Sequence, residues 1–270
     1  MPDYKFKYGV PTKNDYNQLL STDLFNKIQQ YSDEFLKEAD SELEYYNKKW
    51  VLDPLHQWSR QYEYPYVFSE IAGTLPEKKM TILDAGSGMT FFPFYLKKTL
   101  PEIEVFCCDY DENLGQLYLN ISKKLDIEIS FNNADIRKLP YAPNTFDIVY
   151  CISVLEHTDN FELVLDELQR VTKPGGKLIL TFDIALDNFS DIPIDKAEKL
   201  LKNIKERFSA EASPIDLSNP ENITTNDFKN TALLPWKYNV KQSIKNILNG
   251  KSPLRRHHLT FYCLSSEKAQ

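Results

Sequence analysis

Asp84, Gly86 and Gly88 alternate in the stretch Met80–Thr90, MTILDAGSGMT. The residues before them, Thr81–Leu83, form a β-prone apolar run, and FFPFYLKKTL after them reads as a helix. The order is strand, glycine turn, helix. Glycines let a backbone turn sharply and come close to a ligand. A tight turn between strand and helix needs them with or without a ligand, so the surroundings decide. Asp109 closes the apolar run IEVFCC. It stands about twenty residues on, where an acidic side chain meets the ribose of a ligand bound beyond the carboxyl end of such a strand. Asp135 and Ile136 follow the next apolar run, and Glu156 and His157 follow the one after that. An imidazole there could take a proton near neutral pH. The other histidines are His56, His257 and His258. Arg60 and Glu63, in RQYEYP, are three residues apart and could simply pair on a helix surface.

The elements that must position these groups alternate. Strands are expected at Thr81–Leu83, Glu104–Cys108, Ile127–Phe131 and Phe146–Ile152, then through KPGGKLILTFDI. Helices are expected between them: one running to Leu100, with Thr90 as N-cap and Pro93 in its first turn; one from Asp111; and one over FELVLDELQRVT, capped by Asn160. Strands alternating with helices predict a parallel sheet, and right-handed crossovers put the loops after strands one, two and four on one edge. HLTFYCLSS reads as a last strand. Ahead of the core, Met1 to about Gln18 reads as a loose aromatic arm. Ser21–Asp23 could cap one amphipathic helix running to Trp50, and LHQWSRQYEYPYVFSEIAG reads as a second helical segment. The expected organisation is a helical cap over residues 1–75 and a core over 76–270. An insertion at about 184–254 holds helices at Ile194–Phe208 and over KQSIKNILN.

Composition narrows the function classes. A net charge of −7 over 270 residues argues against a nucleic-acid surface, which should be basic. No apolar run approaches a membrane span, and MPDYKFKYGVPTKNDYN lacks a signal-peptide core. A cytoplasmic protein with no membrane partner is expected. Cys107, Cys108, Cys151 and Cys263 lie in predicted strands with no CxxC or Cys/His spacing, so they read as buried thiols rather than metal ligands.

ILDAGSGMT resembles motif I of the class I S-adenosylmethionine-dependent methyltransferases. The dinucleotide fingerprint would want a further glycine where Phe91 stands, and no Gly-Lys-Ser/Thr phosphate loop is present. Thr90 occupies the place of the third glycine common in motif I. The resemblance runs over Met80–Asp183, with fainter echoes at Arg60–Pro65 and His258–Ser265. It implies an α/β fold: a Rossmann-like, doubly wound, seven-stranded mixed sheet with an antiparallel last strand and an α-helical N-terminal cap over the cofactor crevice.

The resemblance also implies a set of cofactor contacts. Asp109 would hold the ribose, Tyr110 would pack on the adenine and Asp111 would cap the next helix. Asp135 and Ile136 would meet the adenine. Backbone groups of Ala85–Gly88 and Ile152 would meet the methionine part, with Asp84 orienting the loop and Phe91 near the sulfonium. RQYEYP resembles a pattern of bacterial small-molecule and sugar methyltransferases, which would set Arg60, with Tyr62 or Tyr64, near the cofactor carboxylate or the acceptor. His157 is the first candidate base, though holding its loop is an equal role for it; His257 and His258 come next, ahead of His56, Glu156 and Tyr64. The expected activity is methyl transfer from S-adenosylmethionine to a hydroxyl of a small molecule, such as a sugar or sugar nucleotide in polysaccharide or natural-product biosynthesis. A small-molecule N-methyltransferase is the alternative. A nicotinamide oxidoreductase and a non-catalytic cofactor-binding partner remain open. The special loops of nucleic-acid methylation, Asn/Asp-Pro-Pro-aromatic and Pro-Cys, are missing.

Overall fold

The computed structural model describes residues 4–74, 79–187, 192–209, 215–234, 240–249 and 257–269. Five strands pair in parallel: β1 (Met80–Ala85), β2 (Ile103–Asp109), β3 (Ser130–Asn133), β4 (Phe146–Ile152) and β5 (Thr172–Ala185). Their order is β3-β2-β1-β4-β5. β5 outruns β4 and pairs at its far end with a two-residue strand, β6 (Ile192–Pro193), in parallel. On its other side β7 (Leu259–Glu267) runs antiparallel, in register from Lys177 opposite Glu267 to Ala185 opposite Leu259. This is the seven-stranded mixed sheet that the resemblance to the methyltransferases implies.

Period-two alternation along the strands feeds two cores. Ile148 and Tyr150 of β4 join one apolar cluster, and Val149 and Cys151 join the other. The second face is covered by α7 (Phe161–Val171) and α8 (Ile194–Arg207). The first is covered by α4 (Arg60–Ala72), α5 (Phe92–Thr99) and α6 (Leu114–Leu125). Three more helices, α1 (Lys13–Leu20), α2 (Asp23–Glu38) and α3 (Asp40–Lys49), extend the same cluster: Tyr16, Ile28, Phe35 and Leu43 pack with Ile82, Val105 and Ile148. The N-terminal helices are therefore built onto the sheet. Ahead of them, Gly9 exchanges two backbone hydrogen bonds with Cys263, so the arm lies along the outer edge of β7. All four cysteines are buried free thiols. Among the described residues no helix is long and apolar enough to cross a membrane.

Several local expectations move. The arm is not loose to Gln18: α1 starts at Lys13, held by a capping box in which Thr12 and Asp15 each satisfy the other's backbone N–H. The single helix expected from Leu24 to Trp50 breaks at Ala39, whose backbone (φ −94, ψ 10) ends α2 and turns α3 in a new direction. α4 begins only at Arg60, after turns. β3 starts three residues late, because Ser130 is the residue that pairs with Phe106. Asp111 does not cap α6, which begins at Leu114; it closes a turn by accepting from Asn113 N and pairs with Lys49 of α3. Thr90 accepts only a long 3.4 Å hydrogen bond from Phe92 N at the start of α5, where Pro93 sits in the first turn.

Candidate cofactor and active site

The parallel strands deliver their carboxyl ends to one edge, and the candidate residues collect there. Gly86 (φ +79) and Gly88 (φ +53) carry the chain from β1 through left-handed conformations that a side chain would strain. Four successive amides of this loop are taken by protein acceptors. Gly86 N and Ser87 N donate to Cys108 O at 2.9 and 3.0 Å. Gly88 N donates to Asp109 Oδ2 at 3.0 Å, and Met89 N donates to the Tyr46 hydroxyl at 3.1 Å. The Gly86 carbonyl receives no hydrogen bond from the described residues. A loop with its amides occupied and a carbonyl to spare suits a cation such as an ammonium group. It does not suit a pyrophosphate, which needs free N–H groups.

The acids divide the work. Asp109 lies half-buried between the loop and Asp111 N, which donates to its Oδ1 at 3.0 Å. Asp84 is buried between β1 and β4, where the Tyr150 hydroxyl donates to its Oδ2 at 2.9 Å. Burial, reinforced by the charge of Asp109 and opposed by the Tyr150 hydrogen bond, pushes the Asp84 carboxyl up to about 8. Asp84 is thus a mostly protonated support within the fold. Tyr118 adds a second support, its hydroxyl within hydrogen-bond distance of Ser87 Oγ and Gly88 O.

At the end of β4 the chain turns through Ser153, a non-glycine residue at φ +47. Ser153 Oγ donates to Glu63 Oε1 at 2.7 Å, and the Arg60 guanidinium bonds both to Glu63 and to Ser153. Arg60 and Glu63 do pair, as their spacing allows, but Glu63 is fully buried, so this is no surface pair. Burial alone would push the guanidinium down. Glu63, with Tyr64, Asp183 and Glu156 around it, outweighs that and keeps Arg60 charged. The next residue, Val154, packs on Gly86: a Cβ placed there would be 2.7 Å from Val154 Cγ1.

The remaining candidates spread around this edge. Ile152 ends β4, half-buried, next to Ser153. Ile136 is buried, and Tyr110 is 70% exposed. Asp135 is held by Arg137, through its backbone N and its guanidinium, and Arg137 reaches on to Asp159. His157 is exposed in the 3-10 turn Leu155–His157. His257 and His258 lead into β7; the His257 carbonyl accepts from Thr225 Oγ1, and His258 N donates to Asp187. Arg255 and Arg256, expected beside them, lie outside the described residues. His56 is tied to Asp53 and Gln29. Tyr64 is buried against Phe91 and Phe92, and burial pushes its phenol up, which removes it as a base. Phe91 is itself buried. Tyr46, Ser153, Val154 and Arg137 escaped the sequence reading. Only Arg137, a charge two residues from Asp135, left a signal there.

Residues 83–180 match the family described as Methyltransferase domain. The match covers the part of the sheet from β1 to β5 that carries the glycine loop. Demethylmenaquinone methyltransferase from Corynebacterium urealyticum is 32% identical over 146 residues, covering 54% of this chain and 56% of that protein. The tRNA U34 carboxymethyltransferase of Ruthia magnifica is 28% identical over 197 residues, covering 64% and 57%. The chain thus spans about half the length of the curated relatives it matches. Among solved structures, the [4+2]-cyclase SpnF superposes with a TM-score of 0.53 at 15% identity, over 97% of this chain and 99% of that one. That likeness is one of fold, and it takes in the N-terminal helices as well as residues 83–180.

S-adenosylmethionine is the cofactor that the resemblance of ILDAGSGMT to motif I implies. The residues present fit it. The spare carbonyl of Gly86 suits the ammonium of its methionine part, and the charged Arg60 suits the carboxylate. Asp109 at the end of β2 suits the ribose hydroxyls, and buried Ile136 offers an apolar wall to the adenine.

Proposed function

We propose that the chain is an S-adenosylmethionine-dependent methyltransferase acting on a small molecule, with a hydroxyl as the acceptor atom. The observation that carries the reading is the glycine loop with all four amides occupied and Asp109 closed over Gly88. This arrangement also counts against the oxidoreductase, whose dinucleotide would need those amides.

In this reading the chain's own residues bind and orient. The bound cofactor supplies an electrophilic methyl group on a sulfonium. Asp109 holds the ribose and the loop holds the ammonium. Arg60 holds the carboxylate, kept in place by Glu63 and Ser153. Much of the rate then comes from fixing two bound reactants in line. A hydroxyl acceptor needs a base as well, and His157, His257 and His258 on the same edge are the side chains offered for it. An amine acceptor is the close alternative, since it can arrive unprotonated. A sugar as acceptor has only the likeness of RQYEYP behind it, and there Arg60 and Glu63 hold each other. The net charge of −7 favours a small molecule over the nucleic acid named for the Ruthia relative. A second reading, a cofactor-bound fold without methyl transfer, rests on the end-to-end likeness to a cyclase.

The test is calorimetric titration with S-adenosylmethionine, S-adenosylhomocysteine and NADH, followed by a screen of alcohol and amine acceptors for homocysteine-product release. Micromolar binding of the sulfur compounds alone, lost about tenfold or more in Asp109→Asn, is expected, because a charge-assisted hydrogen bond is removed. Binding of NADH instead would refute the reading. Tight cofactor binding with no product from any acceptor class would favour the second one.

A further inference from the structure

Helix α9 (Val240–Leu248), VKQSIKNIL, is turned inside out. Ile244, Ile247 and Leu248 stand three and four residues apart, which makes them one stripe. A helix on a globular protein buries such a stripe. Here, among the described side chains, the buried one is Ser243, while Ile244, Ile247 and Leu248 are 52, 56 and 80% exposed. No other described helix exposes more than one large apolar residue. Lys241 and Lys245 are exposed on the same helix.

Charge sharpens the observation. From Phe228 to Ser266 the chain has seven Lys and Arg and no Asp or Glu, within a protein of net charge −7. The one strongly basic stretch is the one that holds the outward apolar stripe. Its anchor points lie at the carboxyl edge of the sheet: Leu233 O accepts from Trp58 N just before α4, and Thr225 binds His257 O just before β7. The nearest described residues on either side of the helix are therefore held at the edge where the cofactor crevice opens.

We propose that α9 is an interfacial helix that docks this protein on an anionic lipid surface, with Ile244, Ile247 and Leu248 in the headgroup boundary and Lys241 and Lys245 against the lipid charge. Apolar residues on one side with lysines beside them are what such surfaces bind. Nine helical residues are far too few to span a bilayer, so the helix lies on it. A nucleic-acid surface would use the basic residues but would have no use for three exposed aliphatic side chains. The expectation of no membrane partner considered only spanning segments, and docking revises it. The crevice edge then faces the lipid, whichever acceptor the site takes.

The experiment is co-sedimentation of the full chain with vesicles of phosphatidylcholine alone and of phosphatidylcholine with about a third phosphatidylglycerol. Binding to the anionic vesicles is expected to be at least about tenfold tighter than to the neutral ones and to be released by about 0.5 M salt. Ile244→Ser/Ile247→Ser/Leu248→Ser and Lys241→Glu/Lys245→Glu should each weaken it about tenfold while leaving Tm unchanged, because all five side chains are exposed in the folded protein. No sedimentation with anionic vesicles, equal binding to neutral ones, or full binding by the triple serine variant would each overturn the proposal. So would a wild-type dimer that the serine variant turns into monomers, which would assign the stripe to a second copy. Binding of transfer RNA that depends on the lysines and ignores the serine changes would assign the patch to nucleic acid and equally overturn it.

Discussion

Val154 occupies the space that a side chain on Gly86 would need: a Cβ there would lie 2.7 and 2.8 Å from its two γ-methyl groups. The residue after the turn at the end of β4 thus clamps the glycine loop at the end of β1. Two costs meet at Gly86. Its φ of +79 is one that L residues adopt at about 1–2 kcal/mol, and Val154 is stiff at χ1 and cannot swing aside freely. Gly86→Ala should lower stability by more than the backbone cost alone in urea unfolding. Val154→Ala in that background should return the contact part and leave the backbone part. Strict additivity of the two changes would refute the clamp.

Glu63 and Arg60 form a buried pair that joins α4 to the turn at Ser153. Taking one partner from a buried pair strands the other charge and costs about 3–5 kcal/mol. Glu63→Gln should therefore reduce thermal stability strongly. Arg60→Met/Glu63→Leu, which removes both charges, should recover most of it. Cofactor affinity separates the roles: the double variant should be stable yet bind S-adenosylhomocysteine weakly. Normal affinity there would take Arg60 out of the cofactor site.

Asp84 makes stability depend on pH. Its folded carboxyl is raised from 3.8 to about 8, so between those values the folded chain holds a proton that the unfolded chain has released. Stability from this group is complete at low pH and is lost as pH rises toward 8. The slope is at most about 1.4 kcal/mol per pH unit for one proton. Denaturant unfolding of wild type at pH 6 and pH 8, set beside Asp84→Asn, reads it: the asparagine variant should lose the slope. An unchanged slope would mean that Asp84 is ionised in the fold.

His157 stands exposed in the turn after β4, and His258 lies beside Asp187 at the start of β7. If His157 is the base for a hydroxyl acceptor, His157→Ala should lower kcat and leave KM and cofactor affinity near wild type. A kcat within about twofold of wild type would pass the role to His258 or to an acceptor that needs no base.

Much of this molecule was legible along the chain. The order strand, glycine turn, helix and the closing acid Asp109 placed the crevice. β4 at Phe146–Ile152 and the Asn160 cap of α7 were readable to the residue, because a fully buried strand is a continuous apolar run and an N-cap is a local hydrogen bond. The break at Ala39 was not, since Phe35 and Leu36 before it and Leu43 and Tyr46 after it continue a helical pattern. What turns the chain there is the packing of α3 over the glycine loop, where Tyr46 meets Met89 and Lys49 meets Asp111.

The sequence by itself determined that β1 to β5 are strands of a parallel sheet joined by helices, that HLTFYCLSS is a further strand, and that Asp84, Gly86, Gly88 and Asp109 share one end of the sheet. Those follow from periodicity, glycine conformation and crossover handedness, which act within a few residues or apply to any chain. Only the tertiary structure decided that Asp84 is buried with its carboxyl pushed up, that Arg60 and Glu63 lock onto Ser153, that Val154 stands over Gly86, and that α9 turns its isoleucines outward. Each of these joins residues distant in sequence, or one helix face to the fold as a whole. Burial and contact at that range depend on the packing of the entire chain, and no local pattern carries them.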